Sequence, residues 1–419
     1  AFYAIFLLLF SRIYNAILLF RCRMASRLNT KENYHLYIRI STKLKIFGLH
    51  TLLFEKDISL EFDYPLSENI YPYVEQMRNN DKPSVSPINV YNYSFLSSCE
   101  DKCKSDSEIR LVIIVKSAMH NFHRRSAIRK TWGFENRFSD VVIKKVFVLG
   151  VDGGADKSLQ EAIDAESKKH NDIVQANFQD SYFNNTIKTM MGFTWAMRFC
   201  PAAKFYMFSD DDMYVSVKNV LRFIRNPSHY PEYVEEAMAA RRKLSPSKSQ
   251  PKVLGKSLNG GKNFLVSANQ ENNKFGRVKR QANFNYDLPD DALVRLFAGF
   301  VFKSSPHRHL TSKWYISLEE YPWNRWPPYV SAGAYILSQE ALISVYYASH
   351  FVKHFRFDDI YLGIIAKKLG MEPFHCKEVY FYKKDYNLHN YRYVVASHGY
   401  DNTEELISVW NEQKSAGNA

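Results

Sequence analysis

Cysteine is scarce in this chain of 419 residues: Cys22, Cys99, Cys103, Cys200 and Cys376 are all there is. No two of them form a CxxC pair, which argues against a structural zinc site. Zinc-finger spacing and an aromatic RNA-binding motif are absent too. Five thiols spread along a long chain identify no compartment, and Cys99 and Cys103 stand close enough to bridge each other or to pair elsewhere. Net positive charge is also thin over most of the chain. The formal net charge is +13, but residues 238–286 hold eleven Lys and Arg against one acid. The basicity therefore belongs to one Ser-, Lys-, Asn- and Gly-rich stretch rather than to a folded basic face, and nucleic acid is not expected as a partner.

What the chain has is apolar and aromatic content. A hydrophobic fraction of 46% and an aromatic fraction of 15% are ample for a large core. Residues 1–20 are strongly apolar, interrupted by Arg12 and Asn15, and about 20 apolar residues span a bilayer. A membrane anchor over 1–23 is the preferred reading; a signal peptide or a buried helix is the plainer one. Arg21, Arg23 and Arg27 follow it, which by the positive-inside rule favours a cytosolic flank on that side. Residues 24–106 lack sustained periodicity and read as a stem plus the approach to the core. A catalytic domain is expected over 107–413, interrupted at 233–286 by the basic segment, which reads as an exposed insertion. Sequons at Asn92-Tyr93-Ser94 and Asn184-Asn185-Thr186 are compatible with a secretory location.

From residue 110 onward, strands alternate with helices. Buried strands are expected at 111–115, 145–150, 172–176 and 205–208, with helices from Arg124 (Ile128 and Trp132 on one face), over 158–170, around Lys188 to Phe199, and over 216–225. That alternation predicts an α/β fold with a parallel or mixed sheet. The strand at 205–208 runs into Asp210-Asp211-Asp212. Ligands bind beyond the carboxyl ends of such strands. Three adjacent carboxylates repel unless something positive joins them, and oxygen ligands suit Mg²⁺ or Mn²⁺. A solvated acidic turn is the bland alternative.

Other residues carry weaker signals. Arg124 and Arg129 near one helix, and Lys188 early in another, could reach a nucleotide diphosphate; surface charge is the commoner explanation for each. Trp314, Glu319, Glu320, Tyr329 and Gly333 fall in an aromatic, carboxylate-bearing region that suits a sugar, although most of those rings belong to an ordinary core. Asp358 and Asp359 open a helix, where acids are electrostatically ordinary, but they also supply a candidate general base. His398 closes an apolar run, where a metal ligand can sit.

Taken together, the motifs resemble the inverting β-1,3-galactosyltransferase family of Golgi enzymes, which includes N-acetylglucosaminyl- and N-acetylgalactosaminyltransferases. The matching stretches are Arg124-Arg125-Ser126-Ala127-Ile128-Arg129-Lys130-Thr131-Trp132-Gly133, the Asp210-Asp211-Asp212 triplet, 313–322, 326–338 and Asp359-Ile360-Tyr361-Leu362-Gly363. Five motifs in order, over roughly 110–413, are specific. The resemblance implies a GT-A fold, with a Rossmann-like mixed sheet flanked by helices behind an anchor and stem. It also implies a type II Golgi membrane enzyme that uses Mn²⁺ and a UDP-sugar, UDP-galactose first, on a glycan or glycolipid acceptor. On it, Asp212, His398 and Asp210 hold the metal and Asp359 is the base, with Asp358 beside it. Arg124, Arg129, Lys188, Asp210 and Asp211 face the nucleotide. Other readings are transfer of N-acetylglucosamine or N-acetylgalactosamine, or a non-catalytic glycan-binding relative. The sequence departs from the family at Asp358, where Glu is usual, and at Ser331-Ala332-Gly333-Ala334-Tyr335, where a Gly-rich run is common. Its basic insertion is also longer.

Overall fold

The computed structural model describes residues 55–64, 69–104, 108–154, 157–244 and 295–419, with side chains to residue 240 in the fourth segment. The anchor expected over 1–23 and the insertion from 245 to 286 lie outside them. Among the described residues no helix is long and apolar enough to cross a membrane.

In chain order the elements are α1 (Tyr71–Arg78), β1 (Phe95–Ser97), β2 (Ile109–Lys116), α2 (Phe122–Lys130), β3 (Val142–Val151), α3 (Lys157–His170) and β4 (Ile173–Gln179). Next come α4 (Asn185–Phe199), β5 (Phe205–Asp210), β6 (Tyr214–Val215), α5 (Val217–Arg225), α6 (Glu232–Leu244) and β7 (Phe297–Phe302). The chain closes with β8 (Tyr329–Ser338), α7 (Gln339–Ser349), α8 (Asp358–Lys368), β9 (Phe374–His375), β10 (Val379–Tyr380), β11 (Ala396–Ser397) and α9 (Thr403–Ser415). The main sheet has the order β1-β4-β3-β2-β5-β8-β7-β9. Strands β4, β3, β2 and β5 are parallel, and β8 runs antiparallel to β5 and β7. This is the expected α/β class with a mixed sheet.

Strand β2 shows why the apolar runs become strands. All of Leu111, Val112, Ile113, Ile114 and Val115 are buried, as a strand covered on both faces requires. Because successive side chains alternate, Val112 and Ile114 join a core with Met190, Phe193 and Trp195 of α4. Leu111, Ile113 and Val115 join a second core with Ile128, Val220 and Trp410. The chain leaves β2 towards β3 on one side, and β5 returns on the other. The crevice at that switch point is where an open sheet of this kind places a ligand.

Three expectations need correction. Residues 55–104, read as stem and approach to the core, already belong to the folded body: β1 pairs with β4, Val74 is fully buried, and Arg78 pairs with Glu340. Their many polar residues hide this, because the pairing partners lie far away in sequence. The insertion does not start at 233: Glu232–Leu244 is a helix, with Val234 buried. Helix α2 ends at Lys130, so Trp132 lies beyond it. Trp132 is still buried, and its Nε1 donates to the Met213 carbonyl at 3.0 Å. Cys103 is bonded to Cys200, while Cys99 and Cys376 are free and buried.

Candidate active site

Strands β2 and β5 end side by side, with Lys116 opposite Asp210 in the register. The Lys116 ammonium is buried and lies 3.0 Å from Asp210 and 2.8 Å from Asp358 at the start of α8. Thr189 of α4 also donates to Asp358, at 2.8 Å. One buried cation thus joins the acidic triplet to the second acidic pair, which stands 148 residues further along the chain. Burial raises the cost of charge on Asp358, but Lys116 and Thr189 outweigh it and hold this carboxyl below the usual range. Asp359 goes the other way: burial, then the charge of Asp358, pushes it up. Its Oδ1 accepts from the Ile360 N–H at 2.8 Å.

A cavity of 590 Å³ opens over these groups. Asp210, Asp358, Asp359 and His398 lie in its wall, together with Gly333, Tyr329 and Trp314. A small second sheet brings His398 there. Strand β11 pairs antiparallel with β6, Ser397 opposite Tyr214, and the Tyr400 N–H donates to the Asp212 carbonyl at 2.8 Å. His398 Nε2 then stands 3.4 Å from Asp212 Oδ2. The hydrogen bond to Asp212 raises the His398 pKa. Burial pushes Asp212 up, but His398 and Arg124 hold it below the usual range. Burial, opposed by Lys116 and aided by Asp212 and Asp358, holds Asp210 above that range.

The donor set fits a hard divalent cation that also binds a diphosphate. Asp212 Oδ1 is buried with no hydrogen-bond partner among the described residues, an orphan acceptor beside an imidazole nitrogen. No group of three or more such side chains among the described residues would hold a metal by itself.

The other expected residues divide. Tyr329 stacks on Phe302, with ring centroids 5.3 Å apart, and its hydroxyl meets Ser304 Oγ at 3.0 Å. The Trp314 indole N–H donates to the Tyr182 hydroxyl at 3.1 Å, and the ring is 43% exposed. Of the two methyls that replace family glycines, Ala332 lines the cavity and Ala334 is buried away from it. Four expected residues are held by partners instead of lining the cavity, and a fifth lies outside its wall. Asp211 turns inward, accepting from Ser117 Oγ at 2.6 Å, Asn121 at 2.9 Å and Arg124 at 2.8 Å. Arg129 is held by Glu166 and Asp172. Lys188 is held by Asp180 and the Ser117 carbonyl. Glu320 pairs with Arg356, a residue of the cavity wall, and so stands behind it. Glu319 is exposed outside the wall. Arg124 spans Asp211 and Asp212, at 2.8 and 3.7 Å, so it braces the triplet. Lys116 is the residue that sequence reasoning missed. Its signal was an ammonium closing the apolar run 111–115 at the sheet's ligand edge.

The galactosyltransferase family model matches residues 123–261 and 289–377. The chain is 38% identical to the β-1,3-galactosyltransferase brn of Drosophila melanogaster over 375 residues, 89% of this chain and 92% of that one. It is 30% identical over 329 residues to β-1,3-galactosyltransferase 1 of Mus musculus, covering 78% and 81%. It is 29% identical over 392 residues to the lactosylceramide 1,3-N-acetyl-β-D-glucosaminyltransferase of Xenopus tropicalis, covering 90% and 85%. With acidic triplet, candidate base and imidazole gathered at one sheet edge, and with likeness running through most of its length, the chain belongs to the galactosyltransferase family of hexosyltransferases.

Proposed function

We propose that the protein transfers galactose from UDP-galactose to the 3-hydroxyl of an acceptor sugar on a glycan, glycoprotein or glycolipid, forming a β-1,3 linkage with inversion. The reading rests on one observation: Asp359, with its raised pKa, faces the same cavity as Asp210 and His398. Asp359 accepts the proton of the acceptor hydroxyl, whose oxygen forms the new bond to the anomeric carbon. The bond from that carbon to the diphosphate breaks on the opposite face, and the departing electron pair stays on UDP. One displacement inverts the centre, so no enzyme nucleophile is needed. Asp358, neutralised by Lys116, keeps the first turn of α8 in place. Asp210, Asp212 and His398 would hold Mn²⁺, which supplies positive charge to the leaving diphosphate. Ring faces such as those of Tyr329 and Trp314 suit the CH faces of sugars.

The Xenopus tropicalis relative, named for N-acetylglucosamine transfer, favours a second reading with that donor. The Cys103–Cys200 bond fits an oxidising compartment and supports a luminal catalytic domain on a type II Golgi anchor formed by 1–23. The test is UDP release from UDP-galactose, UDP-N-acetylglucosamine and UDP-N-acetylgalactosamine, before and after chelation and with Mn²⁺ restored. Release fastest from UDP-galactose, lost on chelation and recovered with Mn²⁺, is expected. Full activity in the chelated protein refutes the metal assignment, and preference for another sugar refutes the donor.

A further inference from the structure

We propose that Tyr335 is a positioning residue of the transfer reaction, its hydroxyl donating to the Asp358 and Asp359 carboxylate pair when substrates are bound. This inference rests on the reading of Asp359 as base. Tyr335 is 1% exposed, and its hydroxyl has no hydrogen-bond partner among the described residues. A buried unpaired hydroxyl destabilises a fold, and Phe would fill the same space without it. Packing alone therefore does not account for a Tyr here.

Sheet register shows where the side chain lies. Lys116 is opposite Asp210, and Phe208 is opposite Tyr335. Side chains two residues apart on a strand share a face, so Lys116, Phe208, Asp210 and Tyr335 all project to the side that α4 covers. Thr189 of α4 reaches Asp358 in the same layer. The Tyr335 ring is fixed there: it stacks on Phe208 at 5.1 Å and 9° and meets Phe297 edge-on at 5.8 Å and 86°. Burial, then the negative field of Asp358, Asp210 and Asp359, keeps its proton on. It is a locked donor on the sheet face that carries Asp210 and Lys116. Around Asp359 the other groups are Asp358 on its own helix, Lys116 on β2, and Tyr329, also on β8. Arg356 and His398 share the cavity wall. Lys116 is engaged by Asp210 and Asp358, and the Tyr329 hydroxyl by Ser304. Of these donors, Tyr335 is the one left uncommitted.

A donor to either carboxylate spreads negative charge and makes ionised Asp359 easier to form. Its loss therefore raises the Asp359 pKa whichever oxygen it meets. The experiment compares Tyr335→Phe with the unaltered full chain, following UDP release from UDP-galactose in Mn²⁺ with water as acceptor. The expected result is a fall in kcat/KM of about tenfold at neutral pH, the worth of one hydrogen bond to a charged group. The acid limb should move to higher pH and KM for UDP-galactose should stay within about twofold, while Tm measured without substrates should hold or rise, because the hydroxyl is unpaired there. An unmoved acid limb overturns the proposal whatever Tm does, since a hydroxyl that only fills space does not tune Asp359. Tyr206→Phe serves as control: it removes a buried hydroxyl on the same sheet face, one bonded to the Cys200 carbonyl at 2.5 Å. It should lower Tm and leave the limb in place; an equal shift there also overturns the proposal. If the unaltered chain releases UDP from none of the three UDP-sugars, it is the functional reading that fails. The Tyr335 proposal, which rests on that reading, then falls with it.

Discussion

Asp358 and Asp359 share one helical turn, yet their carboxylates meet different company. Asp358 lies 2.8 Å from both Lys116 and Thr189, while the charge that acts most strongly on Asp359 is that of Asp358 itself. A base must be ionised to work, and the raised pKa places that ionisation above the ordinary carboxylate range. Activity should therefore rise with pH through an acid limb above that range. Asp359→Asn removes the base and keeps its shape, so turnover should fall by about 10²–10⁴-fold with UDP affinity nearly unchanged. Near-normal turnover would put the base elsewhere. The same substitution should change stability with a definite sign. A raised carboxyl pKa means that the folded state holds its proton more tightly than the unfolded chain. That contribution is present at low pH and lost as pH rises through the folded value. Above it, Asp359→Asn should melt higher than the unaltered protein, and the gap should close on acidification. Asp358→Asn should melt lower, because it strips one partner from a buried ammonium.

At the scale of elements, the position of α8 against β8 decides where the base stands. Gly363 lies four residues after Asp359, on the same helix face. A Cβ built on Gly363 would lie 2.5 Å from the Tyr329 Cβ. Gly363→Ala should push α8 off β8, at a cost of about 1–3 kcal/mol for overpacking. Because the first turn of α8 carries Asp358 and Asp359, kcat should fall more than KM for the UDP-sugar changes. Steady-state kinetics with a melting curve check both, and a wild-type kcat beside a lowered Tm would separate packing from positioning. On the other side of the site, β6 and β11 do for His398 what α8 does for Asp359. Two residues of pairing bring a side chain from the C-terminal region to a carboxylate that follows β5.

Across the whole molecule, distant segments close on one body. The Cys103–Cys200 bond spans 97 residues and ties the N-terminal approach to the end of α4. Closing a loop of that size stabilises by roughly 4–5 kcal/mol in the chain-entropy account, so Cys103→Ser should lower Tm by roughly 10 °C. An unchanged melting curve would show that the packing of 55–104 suffices. Since α1 and β1 pack on the body, a soluble fragment should begin before residue 55; one that starts at Cys99 should be unstable. The segment 245–286 has few apolar residues to offset ordering entropy. Replacing it with a short Gly/Ser linker after Leu244 should leave turnover intact, and loss of turnover with the fold preserved would assign it a part in acceptor binding.

The sequence alone determined the elements and the identity of the acidic centres. Continuous apolar runs such as 111–115 admit few conformations other than a doubly covered strand, so β2 and β5 and the triplet after β5 were legible. Tertiary structure alone decided what each charge does. Asp210, Asp211 and Asp212 are equivalent in sequence, but strand and turn geometry point Asp210 to the cavity, Asp211 into Ser117 and Asn121, and Asp212 to His398. Arg129 and Lys188 looked like phosphate ligands and are instead consumed by Glu166, Asp172 and Asp180. Lys116 drew no notice, although it joins the two acidic motifs. The physical reason is range. Propensity and alternation act between residues a few positions apart, whereas a buried charge is set by whichever opposite charge the fold brings within about 4 Å, however far off in sequence.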